Sequence, residues 1–256
     1  MIKIISNKEK FWDYYYKYLG IENETLNRNQ FIFESIQRDK PINTWYLQHL
    51  IAANINGNVI FSISPTYFKA FEEYMVLYKP ESLEKLKITV NEFFSQRIES
   101  FGIRKMYRLT IEDFDYKTSK ENFVQKLTKD ILMNSLREKN LEEQNKVWNR
   151  KKKEVEEGRQ YVILHNEKIV SYCKISDIDY CGGNLTVWTA PEYRNKGYGK
   201  KVVKEAVKWC FENGIVPIYW VDSTNIASLN LSKSLGFKIY IEELVVSTTL
   251  DQKEIT

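Results

Sequence analysis

The sequence predicts a mixed α/β fold, and three observations point to it. Between Lys8 and Arg38, aromatic and aliphatic residues recur at three- and four-residue spacing among charges, the pattern of amphipathic helices. Two pairs of short apolar runs, one around Asn56-Gly57 and one around His165-Asn166-Glu167-Lys168, read as β-hairpins. From Leu185 to Val221 a strand, a glycine-containing loop, a helix with one apolar face and a second strand follow one another, which is the order of a crossover unit.

Taken along the chain, Lys8–Leu19 and Glu24–Arg38 are expected to be packing helices. Leu50–Ile55 and Val59–Ile63 flank Asn56-Gly57, a dipeptide that accepts the positive φ angles of a tight turn. Helical patterns follow at Ser82–Ile98 and Glu121–Leu136, with a strand at Met106–Ile111 between them. The segment Arg137–Glu157 is dominated by charge. Its run Arg150-Lys151-Lys152-Lys153 is suited to RNA or a phosphate, but Glu154, Glu156 and Glu157 on the same segment favour a solvated helix face. Gln160–Leu164 and Ile169–Ile175 form the second hairpin. Leu185–Thr189 then leads through Pro191-Glu192-Tyr193 into the glycine loop. In the helix after that loop Val202, Val203, Ala206, Val207 and Cys210 share one face, and Gly214 suits the left-handed residue just past the end. The strand Ile215–Val221 contains Pro217, which belongs at a strand start, a bulge or an unpaired edge.

Composition narrows the function. With 256 residues, 43% apolar and 14% aromatic, the chain has material for a buried core. Thirty-eight basic against 34 acidic residues leave a net charge of +4, too dilute for a dedicated nucleic-acid binder and compatible with an anionic small molecule. Cys173, Cys181 and Cys210 are an odd set without CxxC spacing, so neither a disulfide framework nor a metal site is expected, and a reducing cytoplasm is. The first ten residues carry charge too early for a secretion signal, and no run approaches the ~18 apolar residues of a membrane span. No membrane and no nucleic-acid partner are therefore expected.

The loop Arg194-Asn195-Lys196-Gly197-Tyr198-Gly199 carries the chemistry. A strand that ends in a loop and a helix N-terminus brings several unpaired N–H groups to one point, and such groups bind phosphate. Gly197 and Gly199 let the backbone approach a pyrophosphate, and Arg194, Lys196 and Lys200 add positive charge. A dinucleotide loop needs a third glycine where Val202 stands, and no Lys-Ser/Thr pair follows a glycine as in a P-loop, so both readings fall.

The six residues resemble the acetyl-CoA loop Arg/Gln-x-x-Gly-x-Gly/Ala of the GNAT N-acetyltransferase superfamily at every specified position. Asn225, a short helix and Leu235-Gly236-Phe237 resemble that family's second landmark, and the resemblance covers about residues 158 to 250. Val216-Pro217-Ile218-Tyr219-Trp220 with Asn225-x-x-Ser228 is similar to a bacterial branch that carries an extra N-terminal domain. The resemblance implies a mixed, mostly antiparallel twisted sheet flanked by helices. It also implies an N-terminal mixed α/β domain of unknown role over 1–105 and an acetyltransferase domain over 106–256.

It further implies acetyl transfer from acetyl-CoA to a primary amine by direct attack. Val187, Trp188 and Thr189 would splay from the strand Ile215–Val221 and pair with the pantetheine arm like an added strand. The amides of Asn195, Lys196, Gly197, Tyr198, Gly199 and Lys200 would hold the pyrophosphate beside Arg194. Asn225 and Ser228 would border the pantetheine or the thioester, although Asn225 also suits a helix N-cap. Many members place a tyrosine general acid seven residues after that asparagine; here the position is Ser232, so the catalytic acid is unassigned. Asp177 and Asp222, near strand ends, are not diagnostic of a base. His49 and His165 read as structural or exposed, Cys173 and Cys210 as packing residues, and Trp188 as either core or a wall of the acceptor pocket. The competing readings are a non-catalytic acyl-CoA-binding regulatory protein and an RNA-binding protein using Arg150–Lys153. The acceptor amine and a homodimer are left open.

Overall fold

The computed structural model describes residues 6–21, 31–41, 46–77, 83–113 and 123–250. The chain folds as two units, one made of Lys8–Leu109, Trp220–Ile226 and Ile239–Thr256, the other of Met1–Asn7, Thr110–Tyr219 and Ala227–Lys238.

The first unit opens with helix α1 (Asn7–Leu19), which buries Phe11, Tyr14, Tyr15, Tyr18 and Leu19 along one stripe, as the spacing predicts. The expected helix Glu24–Arg38 does not form over its described part; 24–30 lie outside the described residues. Ile32–Glu34 is instead strand β1, followed by a single 3₁₀ turn at Ile36–Asp39. Three apolar-rich residues cannot distinguish the two periods, and the tertiary partner decides: β1 pairs in parallel with β3, Ile32 opposite Phe61 and Glu34 opposite Ile63. The Asn56-Gly57 hairpin forms as expected, from β2 (Tyr46–Ile55) to β3 (Asn58–Ile63), with φ of 52° and 84° at the two turn residues.

Helix α2 (Pro65–Met75) was not expected, although its signal is explicit. Ser64 caps it by accepting from the Thr66 amide at 3.1 Å, and Pro65 takes the first helical position. Helix α3 (Leu83–Ser95) lies within the expected span. Strand β4 (Gly102–Thr110) contains most of the expected one and extends four residues earlier. Phe71, Phe93 and Phe94 from the two helices pack with Leu50, Phe61 and Val246 into one core. The strand order is β1-β3-β2, then the C-terminal strand β10 (Lys238–Thr249), then β4.

In the second unit the expected helix Glu121–Leu136 is shorter over its described part; 121–122 lie outside the described residues. Gln125–Lys126 forms strand β5, and the helix α4 (Lys129–Ser135) begins only after Thr128, whose hydroxyl accepts from the Ile131 amide at 3.2 Å. Helix α5 (Leu141–Glu156) has the solvated face expected of its charge run, capped by Asn140. Strands β6 (Gln160–His165), β7 (Lys168–Asp179) and β8 (Gly182–Thr189) form an antiparallel meander; β5 pairs with β6, and β9 (Val216–Asp222) pairs in parallel with β8. Helix α6 (Tyr198–Glu212) buries the five residues expected and packs on β6, β7 and β8. Helix α7 (Ile226–Ser234) follows β9. Each unit thus has a mostly antiparallel sheet flanked by helices. No helix among the described residues is long and apolar enough to cross a membrane.

Candidate acetyl-CoA site

The site is set by where β8 and β9 stop pairing. Their register runs Gly182–Val216, Gly183–Pro217 and Asn184–Ile218, and ends there. The close start has a packing cause. A Cβ on Gly183 would lie 2.7 Å from Ile175 Cγ2 and 2.9 Å from Ile215 Cγ2, so only glycine fits. Past Asn184, the residues Val187, Trp188 and Thr189 remain paired with Cys173, Tyr172 and Ser171 of β7 and lack a ladder partner in β9. An unpaired strand edge is a template for an extended ligand.

From Thr189 the chain passes a 3₁₀ turn, Pro191–Tyr193, into the glycine loop. Asn195 (φ 60°) and Gly197 (φ 76°) both adopt the left-handed conformation that folds successive amides toward one side. The first helical bond runs from the Lys201 amide to the Gly197 carbonyl at 3.1 Å. The amides of Tyr198, Gly199 and Lys200 are therefore left without an acceptor among the described residues. No atom lies within 4 Å of a Cβ built on Gly197, whereas one on Gly199 would meet Thr189 Oγ1 at 3.4 Å, Leu231 Cδ2 at 3.5 Å and Val187 Cγ2 at 3.8 Å. The two glycines thus differ in purpose: Gly197 supplies a dihedral, and Gly199 brings the helix start against β8.

The charged groups are held rather than loose. Arg194 Nε donates to the Thr189 carbonyl at 3.2 Å, and Lys196 Nζ stands 4.9 Å from the Tyr193 ring centroid. Tyr193 also stacks on Tyr198 at 6.2 Å and meets His165 edge-on at 5.2 Å. His165 is exposed, as expected, but its contact with the loop could not be read from a hairpin turn.

Other expectations sort differently. Trp188 is no core residue: it is 40% exposed and stacks on Tyr172 at 5.6 Å, with Lys151 Nζ 5.4 Å from the Tyr172 centroid. Burial, with Lys174 and Arg150 nearby, pushes the Lys151 ammonium below the ordinary lysine value. Ser228 hydrogen-bonds Tyr219 Oη at 2.8 Å. Burial drives that phenol up to about 12 although its hydrogen bond with Ser228 pulls the other way, so it is protonated at neutral pH. Ser232 is wholly buried and spends its hydroxyl on the Leu229 carbonyl at 2.9 Å, which removes it as a proton donor.

Asp177 is a bulge residue of β7 near the first residues of β8, so the length of β8 separates it from the loop by roughly 20 Å. The Asn225 amide donates to the Asp222 carbonyl at 3.0 Å in the turn before α7; Asn225 belongs to the first unit and the loop to the second. Cys173 and Cys210 are buried, and burial raises both thiols, as expected of packing residues. Among the described residues no group of three His, Cys, Asp or Glu is placed to hold a metal.

The second landmark has a structural cause. The Phe237 amide donates to the Ser232 carbonyl at 3.2 Å and the Gly236 amide to the Lys233 carbonyl at 3.0 Å, closing α7 as a Schellman motif. Gly236 provides the required φ of 91°, and the Phe237 ring packs edge-on to Tyr219 at 5.5 Å. Leu-Gly-Phe is thus a helix stop whose aromatic residue pins α7 to β9.

The family model for GNAT acetyltransferase matches residues 57–242. A 95-residue segment is 32% identical to the uncharacterized N-acetyltransferase YdfB of Bacillus subtilis, covering 37% of this chain and 36% of that protein, so it spans about a third of that relative's length. Among solved structures, a GCN5-related N-acetyltransferase from Sphaerobacter thermophilus aligns at 10% identity and TM-score 0.49, over 84% of each chain. A GNAT-superfamily phosphinothricin acetyltransferase from Sinorhizobium meliloti, in complex with acetyl-CoA, aligns at 18% identity and TM-score 0.38, over 50% of this chain and 88% of that one. With nearly the whole of the second unit and much of the first inside the matched region, the chain belongs to the GNAT acetyltransferase family.

Proposed function

We propose that the protein transfers an acetyl group from acetyl-CoA to a primary amine by direct attack, with residues 106–256 carrying the chemistry and 1–105 an accessory part. The observation that carries this reading is the joint presence, among the described residues, of a β8 edge unpaired with β9 and three unsatisfied amides at the start of α6, two features that suit the two ends of one ligand. Acetyl-CoA supplies the acetyl group as an activated thioester. The amides of Tyr198, Gly199 and Lys200 receive the pyrophosphate, with Arg194, Asn195 and Lys196 at its rim. Val187, Trp188 and Thr189 take the pantetheine arm as a strand. Such positioning supplies proximity, which can contribute about 7–11 kcal/mol to a bimolecular transfer of this kind. The Tyr219 hydroxyl, protonated and linked to Ser228, is the proton donor in place of the missing tyrosine at Ser232. The free thiols of Cys173, Cys181 and Cys210 suit a reducing bacterial cytoplasm.

The test is thiol release from acetyl-CoA across polyamines, aminoglycosides, amino acids and peptides. The reading requires release that depends on one amine class and falls at least tenfold in Tyr219→Phe. Tight binding with no turnover on any amine would favour an acyl-CoA-binding regulatory protein instead.

A further inference from the structure

In the first unit, β10 shifts register against β2 between Val246 and Ser247: Val246 faces Leu50, but Ser247 faces Gln48. Bulges of this kind re-aim the side chains beside them. Next to this one is a cavity of about 340 Å³, bounded by Tyr46, Phe101, Arg104, Ser100, Ser247 and Thr249. That volume is in the range of small-molecule sites.

Arg104 is its charged group. The guanidinium carbon lies 5.2 Å from the Tyr46 ring centroid and 5.9 Å from that of Trp220. No described carboxylate is within ion-pair distance of it, in contrast to neighbouring Lys105, which pairs with Glu242 at 3.1 Å. A guanidinium already packed against two rings loses little freedom on binding, and its planar fork of N–H donors matches the two oxygens of a carboxylate. Tyr46 and the half-buried Phe101 offer apolar surface to a flat body.

The charge of the ligand follows from Arg104 and Asp222. Burial alone would raise its carboxyl, but the amide and hydroxyl of Thr224, at 2.9 and 2.7 Å, and the Arg104 charge outweigh burial and keep it ionised. The Asp222 charge partly offsets that of Arg104. A monocarboxylate matches the single guanidinium at both oxygens, and a second negative charge would find no further cation among the residues that line the cavity.

We propose that this cavity binds a small planar monocarboxylate, gripped at both oxygens by Arg104, with its flat body against Tyr46 and Phe101. This site stands on residues of the first unit alone and does not depend on the acetyl-transfer reading. The experiment titrates benzoate into the full chain labelled with 5-fluorotryptophan and follows the ¹⁹F resonance of Trp220, identified by its loss in Trp220→Phe. The expected result is a saturable shift that weakens at least tenfold in Arg104→Gln and about threefold in Arg104→Lys, which keeps the charge but not the fork. Inorganic phosphate should neither shift the resonance saturably nor displace benzoate. A linear shift, unchanged affinity in Arg104→Gln, or phosphate competing as well as benzoate would each overturn the proposal. The other tryptophan resonances report whether a variant is folded; should Arg104→Gln fail, Arg104→Lys decides.

Discussion

Arg108 and Arg194 serve the two units under opposite rules. Arg108 is 1% exposed, and every part of its guanidinium is used: Nε and Nη2 donate to Glu243 at 2.7 and 3.3 Å, and Nη1 to Tyr14 Oη at 2.7 Å. The Glu243 carboxylate also accepts from Trp220 Nε1 at 2.9 Å. Burial opposes the Arg108 charge, but Glu243, Tyr14 and Tyr18 more than restore it, so the pKa goes up and the group stays ionised. Arg194 is exposed, with one bond to a backbone carbonyl, beside amides that have no partner among the described residues. A charge fully spent inside the protein specifies the fold; a charge only partly spent at a loop remains for a ligand. Substitutions in the first cluster should therefore move stability, and substitutions in the second should move affinity.

The largest expected effect breaks the buried cluster. Arg108→Leu or Glu243→Leu alone leaves an uncompensated charge and should cost about 3–5 kcal/mol, read by urea denaturation, whereas the double replacement should recover most of it. If each single change is as mild as the double, the pair is not the constraint described. Next is Gly183→Ala, where the added methyl meets Ile175 and Ile215 inside 3 Å and should cost about 1–3 kcal/mol of stability by the same measurement. Gly197→Ala sharpens the contrast: the methyl enters open space, so only the φ of 76° is penalised, by about 1–2 kcal/mol. A larger loss of stability there would place hidden packing at the loop.

The smallest effect is a pH dependence. Burial holds the His49 pKa below the ordinary imidazole value, with Asp39 pulling the other way. Because the folded pKa is the lower one, His49 contributes fully above its unfolded pKa of about 6.5, and the contribution is lost as pH falls through the folded value. The stability slope on the acid side of that unfolded pKa should flatten in His49→Gln, measured by thermal unfolding across a pH series.

How far the sequence carried depends on whether a feature is local. The α6 helix and its loop were legible because the apolar stripe, the two glycines and the closing Gly214 lie within one short segment. The hairpins were legible from their turn residues, and α2 would have been from Ser64-Pro65. Ile32–Glu34 misled because its identity as a strand comes from β3, far along the chain. At the site, the glycine loop could be seen in advance, but the Tyr219–Ser228 bond and the burial of Ser232 could not, since each depends on how α7 docks against β9. The exposure of Trp188 was hidden for the same reason: alternation shows that a strand has two faces but not what covers each.

The loop from Arg194 to Gly199, as proposed, holds acetyl-CoA. Calorimetric titration of acetyl-CoA into the wild-type chain and into Gly197→Trp, whose side chain would fill the open space at the loop, tests it most directly. The expected result is saturable binding to the wild type and at least tenfold weaker binding to the folded variant. No binding by the folded wild type, or equal affinity in the two proteins, would contradict it.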